Sequence, residues 1–419
     1  MYRVFVVLPL YGGSLPVGQY CVSALRELGC LVEVFEAPAF YGAFQAVKGL
    51  RVAVAKQEYL ENSFLQIVSQ AVLAKAEQFE PDLVLCLAQA PMSRQALGRL
   101  RKDNVPTAMW FVEDHRLFTY WRAYAAYYDV FAVIQKDDFL KELADVGVKN
   151  TLYLPLAANP AVHRPLALSS VEKARFGAEL SFMGAGYPNR RAAFRHLTGR
   201  GLKIWGTEWD ADTALASLVQ MEGKRICTED TVRIFNAATI NLNLHSSVHM
   251  SNPVSGGDFV NPRTFEIAAC RAFQLVDTRS LMGEMFEADE MATFNSIEEL
   301  QEKISFFATR PEERAGFAER GYARVLKEHT YVTRMRTLLN FVEERLNCPV
   351  IRKSTSDWPA AMSAAMRDDL QQLFAAMNLP SGAAFGDVVT AVREKTGTLT
   401  PLETAVLFLD EWQKQYISR

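Results

Sequence analysis

Short apolar runs alternate with glycine-marked turns and helix-patterned segments along most of this chain, and few folds satisfy that alternation. Val4-Phe5-Val6-Val7-Leu8 precedes Gly12-Gly13-Ser14, a helical pattern over 20–28 closed by Gly29, and a second run at 31–35. Strand, tight turn, helix and strand in that order build a parallel sheet with helices as crossovers. The unit repeats, with strands expected at 83–87, 107–112, 130–134 and 151–154 and helices around 59–79, 93–102 and 137–145.

Residues 155–165 are polar and carry prolines, which reads as a linker. A second series follows, with strands expected at 179–183, 202–206, 240–244 and 273–276. Helices are expected at 191–197, 262–270, 297–309, 311–329 and 332–346, and residues after Cys348 have the spacing of a small appended helical unit. The fold class expected is α/β: two open sheets across a cleft, with a C-terminal helical extension. In such sheets ligands sit outside the strand C-termini.

The 419 residues are enough for two or three domains. A net charge of −3 argues against a whole-chain polyanion binder, so no nucleic-acid partner is expected. None of the six cysteines forms a C-x-x-C pair, so neither a zinc cluster nor a disulfide framework is expected, and a reducing, cytoplasmic setting is the plain reading. Residues 4–25 are uncharged but broken by Pro9, Gly12, Gly13, Pro16, Gly18 and Gln19, too short a continuous stretch to span a bilayer. Peripheral membrane contact stays open.

The densest chemical signal is Asn261-Pro262-Arg263-Thr264-Phe265-Glu266. Pro262 suits a first helical position. The amides of Arg263 and Thr264 would then face an anion at the positive helix end, and Arg263 can add a charge-assisted contact. The Glu266 carboxylate, one turn in, can accept two hydrogen bonds from vicinal sugar hydroxyls. A first-turn acid that merely favours the helix dipole is the alternative. Gly184-Ala185-Gly186 with Arg190 permits a phosphate cradle or only a structural turn, and Gly12-Gly13 carries the same ambiguity. Asp114 and His115, after the 107–112 run, are the candidates for a base near an acceptor hydroxyl, against a capping Asp and a surface His. His245 reads as a phosphate or sugar contact or as a satisfied structural residue. Asp210-Ala211-Asp212 reads as helix capping, and no metal site is expected.

Four stretches together resemble the CgeB-like proteins, of the glycosyl transferases group 1 type with the GT-B fold. They are 153–165, 180–191 (Leu180-Ser181-Phe182-Met183-Gly184 to Arg191), 240–245 and Arg263-Thr264-Phe265-Glu266-Ile267-Ala268-Ala269-Cys270. The resemblance covers about residues 75–345 and omits the C-terminal unit. It implies two Rossmann-like domains: an acceptor domain over 1–155, a donor domain over 156–330, a crossover helix at 331–347 and the extension at 348–419. It implies a glycosyltransferase that uses a nucleoside-diphosphate sugar, UDP-sugar favoured, with no further cofactor or metal and a glycan, lipid or protein acceptor. Glu266 would take the ribose. Arg263, Thr264, Gly184 and Arg190, with Gly13 opposite, would take the diphosphate. Lys224, Arg225 and Trp205 would flank the base. The retaining pattern has a glutamate eight positions before Glu266, where this chain has Asp258, so the stereochemical class stays undetermined. A nucleotide-sugar epimerase of the same fold and a non-catalytic scaffold are the alternatives.

Overall fold

The computed structural model describes residues 2–210, 212–254, 256–346, 362–379, 383 and 385–416. Cys348 and Ala211, the latter inside the Asp210–Asp212 stretch noted above, lie outside them.

The first sheet is built from β1 (Arg3–Val7), β2 (Leu31–Phe35), β3 (Leu83–Leu87), β4 (Thr107–Phe111), β5 (Val130–Val133) and β6 (Thr151–Tyr153), all parallel, in the order β2-β1-β3-β4-β5-β6. Every residue of β3, β4 and β5 is buried, as expected of strands covered by helices on both faces. The second sheet holds β7 (Ala178–Met183), β8 (Leu202–Trp205), β9 (Ala238–Asn243), β10 (Gln274–Asp277) and β11 (Ala292–Phe294), parallel, in the order β11-β10-β9-β7-β8. β11 has only three residues and no apolar run, so periodicity did not mark it. The helices Tyr41–Lys48, Ser170–Phe176 and Thr228–Ala237 were also not anticipated.

Each sheet reverses its strand order once, between β1 and β3 and between β7 and β9. The glycine turns follow β1 and β7, so both sit where crossover helices diverge to opposite faces and leave a crevice. Gly12 has φ +100°, a left-handed conformation that a Cβ would strain.

The chain crosses back once. Helix Tyr331–Leu346 leaves the second domain and packs Tyr331, Met335, Leu338 and Val342 into the first domain's core beside β1 and helix Ser14–Glu27. The two crossings are bonded to each other: Ala158 N–H donates to His329 O at 3.0 Å and Tyr331 N–H to Ala158 O at 3.1 Å. Buried Arg334 adds bonds to the carbonyls of Pro155 (2.7 Å) and Leu156 (3.1 Å). Its Nη2 donates to His329 Nδ1 at 2.7 Å, while His329 Nε2 donates to Met285 O at 2.9 Å.

Helices Ala364–Ala376, Phe385–Glu394 and Pro401–Tyr416 enclose a small separate core of Leu370, Phe374, Val388, Val392 and Val406. They dock on the first domain through Arg3 and Asp387, 2.6 Å apart, beside a charged cavity of about 730 Å³. Among the described residues no helix is long and apolar enough to cross a membrane.

Candidate active site

Pro262 opens helix Pro262–Ala269, and the Asn261 side chain caps it by accepting the Thr264 N–H at 3.1 Å. That contact corrects one expectation: the Thr264 amide is engaged by the protein, because the N-cap asparagine reaches it first. The Thr264 hydroxyl is taken too, accepting from Asn243 Nδ2 at 3.0 Å. Asn261 is fixed in turn by donating its N–H to His245 Nε2 at 2.8 Å. His245 Nδ1 bonds Asp277 Oδ1 at 2.6 Å. Both ring nitrogens of His245 are therefore occupied inside the protein, which leaves the imidazole none for a ligand. Burial lowers its pKa to about 4 despite Asp277.

Glu266 is 4% exposed. It pairs with Arg263 and lies 3.8 Å from His163 Nε2. Burial alone would raise its pKa; Arg263 and His163 outweigh burial and hold it below the ordinary glutamate range. His163 Nδ1 accepts the Asn159 N–H at 3.2 Å, so in the neutral ring the proton sits on Nε2, facing Glu266. Burial lowers the His163 pKa, which favours that neutral ring. Tyr20, on helix Ser14–Glu27 of the first domain, places its hydroxyl 3.4 Å from His163 Nε2. Burial, with the Glu266 charge, pushes this phenol up to about 12. Glu266 thus stands at the boundary of the two domains.

Arg190, in helix Pro188–Phe194 after the second glycine turn, donates to Leu244 O at 2.9 Å and Ala185 O at 3.0 Å. Among the described residues it forms no ion pair with a carboxylate. Burial lowers its pKa to about 10 against the opposing charge of Asp277, and Arg263 and Arg279 add smaller lowering effects. Three guanidinium groups therefore act on one another here, and two carboxylates pair with them: Glu266 with Arg263, and Asp277 with Arg279 at 2.7 Å. Gly184 packs against Phe182 and Arg190, so a Cβ there would press on both. Trp205 is 1% exposed in a cluster with Met183, Phe235 and Ile267; this large ring is core, not a platform for a base.

Across the cleft, exposed Gly13 has open space at the start of helix Ser14–Glu27. Arg225 Nη2 spans to Gly12 O at 3.2 Å. Lys224 pairs with Glu222 at 2.5 Å on the same turn. Both carboxylate oxygens of Asp258 are engaged by the first domain: Oδ2 accepts the Lys136 N–H at 2.8 Å and Oδ1 accepts Gln135 Nε2 at 3.1 Å.

The acceptor-side residues are arranged differently from expectation. Asp114 accepts the Arg116 N–H at 2.9 Å and shapes a turn. His115 is buried against Phe139, and Gln135 Oε1 accepts from its Nδ1 at 3.0 Å. His115 is closed off, whereas Asp114 is half-buried with one carboxylate oxygen engaged in its turn. Sequence reasoning missed their neighbour Glu113, which Gln89 and Tyr120 (2.9 Å) both hydrogen-bond. Burial raises the Glu113 pKa. Gln89 follows β3 in a left-handed conformation, φ +66°, beside Gly12. The signal was available, since Glu113 is the first residue of the run that supplied Asp114 and His115. Asp212 caps no helix: it accepts the Ala214 N–H at 3.1 Å in a local turn and pairs with Arg195 at 2.8 Å, which corrects the expected capping role. Among the described residues no group of three or more His, Cys, Asp and Glu side chains can hold a metal ion.

Paired parallel sheets, a return helix and a crevice at both strand-order reversals define a GT-B fold. Residues 190–340 match the family model described as glycosyl transferase-like. The chain is similar to spore protein CgeB of Bacillus subtilis (strain 168), with 26% identity over 271 residues, 62% of this chain and 82% of that protein. Among solved structures it resembles sucrose-phosphate synthase from Thermosynechococcus elongatus, with a TM-score of 0.58 at 11% identity over 83% of this chain and 100% of the other. It also resembles Anabaena Alr3699/HepE, solved in complex with UDP and glucose, with a TM-score of 0.55 at 12% identity over 82% of this chain and 100% of the other. The chain is thus similar to CgeB over much of its length, and residues 190–340 to the glycosyl transferase-like family.

Proposed function

We propose that the chain is a glycosyltransferase that moves a sugar from a nucleoside-diphosphate sugar, a UDP-sugar by preference, to an acceptor hydroxyl. The observation that carries this reading is Arg190, a guanidinium with no carboxylate partner among the described residues, set beside the Arg263–Glu266 pair at a helix start. Arg190 is half-buried, and the carboxylate that acts on it, Asp277, is already paired with Arg279; a diphosphate supplies the missing counter-charge. In this reading Arg190 and Arg263 stabilise the departing diphosphate by fixed charge. Glu266, kept ionised, accepts the ribose hydroxyls once Arg263 turns to the phosphate. The HepE complex with UDP and glucose supports the donor class by likeness of fold.

Glu113 is the acceptor-side carboxylate. Its raised pKa suits a group that takes a proton from a hydroxyl, and Gln89 and Tyr120 hold it at the C-terminal end of β4. Calorimetry with UDP-, GDP- and ADP-sugars tests the donor reading: one of them binds, and Glu266→Ala weakens it by about 1–3 kcal/mol. Absence of binding to any nucleotide sugar contradicts it. Incubation with donor alone separates the transferase from an epimerase, which releases an altered sugar without acceptor.

A further inference from the structure

The segment joining helix Tyr41–Lys48 to helix Val54–Phe79 departs from an ordinary surface loop. Residues 48–56, Lys-Gly-Leu-Arg-Val-Ala-Val-Ala-Lys, are all exposed. They carry three cations, Lys48, Arg51 and Lys56, and no acid. Leu50, Val52 and Val54 point no large part of themselves into the core; Val54 is 75% exposed. Tyr59 (68%) and Ile67 (67%) are exposed apolar residues further along the same helix, on other faces from Val54. Acids resume at Glu58 and Glu61, and Glu61 already accepts from Gln57 at 2.9 Å.

Two further features sharpen the positive end. Helix Val54–Phe79 begins with no capping side chain and no acid in its first turn, so its free N–H groups and Lys56 act together. The loop is also held in shape, because Gln57 Nε2 donates to Val47 O at 2.9 Å and ties the two helix ends. Isolated exposed apolar residues need no explanation, but a contiguous apolar stretch interleaved only with cations does.

We infer that residues 48–56 form a docking surface for an anionic lipid bilayer, with Leu50, Val52 and Val54 entering the headgroup boundary and Lys48, Arg51 and Lys56 meeting lipid phosphates. Neither element suffices alone; weak apolar insertion and a basic patch together give stable attachment. The far end of helix Tyr41–Lys48 lies at the cleft, where the Tyr41 ring sits 4.9 Å from that of Tyr11, next to Gly12. Eight residues of helix span about 12 Å, so the surface brings the cleft to the membrane plane. The inference stands independently of the donor reading.

Co-sedimentation of the full chain with phosphatidylglycerol–phosphatidylcholine vesicles tests it without any nucleotide. Binding is expected to the mixed vesicles, not to pure phosphatidylcholine, and to fall with salt. The triple variant K48Q/R51Q/K56Q loses roughly a hundredfold in partitioning, and L50S/V52S/V54S loses at least about tenfold. Both variants change only exposed side chains, and unchanged circular dichroism and melting temperature verify their folding. No sedimentation, equal binding to neutral vesicles, or binding that neither variant alters overturns the inference. So does equal binding of polyglutamate, which marks an acidic protein partner, or a dimer that the apolar variant dissociates without any vesicle binding.

Discussion

The Asp258 carboxylate of the second domain accepts the Gln135 side-chain amide of the first at 3.1 Å. Gln135 Oε1 in turn accepts from the His115 backbone at 2.9 Å and from its ring at 3.0 Å. A three-residue relay therefore ties the loop before helix Pro262–Ala269 to the segment after β4. Asp258→Ala strands the Gln135 amide and costs about 1–3 kcal/mol of stability. Because Asp258 and Gln135 share one bond, chemical denaturation of D258A, Q135A and the double variant gives non-additive losses. Additive losses would mean the tie contributes nothing.

Histidines held neutral make the fold acid-sensitive. Burial lowers the pKa of His245 and His329 from 6.5 to about 4. The unfolded chain takes up these protons first, so stability falls as pH drops from about 6.5 to about 4 and levels below. Unfolding free energy measured by denaturant across that window shows the slope, and His329→Gln reduces it by about one proton. A flat profile contradicts the assignment.

The appended helices respond in the opposite direction. Glu394 lines the docking cavity with Glu33 of β2, and partial desolvation there, with the Glu33 carboxyl, raises its pKa from 4.5 to about 7. Lys75, paired with Glu33, and Arg26 offset part of this, while Arg3–Asp387 and Arg393–Asp410 hold the surrounding charges. The docked unit keeps the proton, so docking weakens as pH rises from about 4.5 through about 7. Once the intrinsic rise of amide exchange with pH is divided out, protection of 385–394 is lower at pH 8 than at pH 6, and Glu394→Gln removes that difference in protection.

Glu113→Gln tests the acceptor side. It retains donor binding and lowers turnover by roughly 10²–10⁴-fold if this carboxylate takes the proton. Asp114→Asn and His115→Gln, placed in a turn and a buried stack, lower turnover far less.

The strand runs 4–8, 83–87 and 130–134 were legible because a fully covered parallel strand needs an unbroken apolar stretch. Pro262 after Asn261 was legible because capping chemistry is local. The Gln135–Asp258 contact was not, since 123 residues separate its partners. Trp205, His245 and Thr264 matched a ligand-contact pattern equally well as ring, imidazole and amide. Only packing revealed that the protein itself satisfies each of them.

A crystal structure with bound UDP probes the nucleotide-sugar reading at its root. The ribose hydroxyls should lie within hydrogen-bond distance of Glu266, with the diphosphate against Arg190 and Arg263. A nucleotide seated away from that helix start, with the Arg263–Glu266 pair undisturbed, would contradict the account.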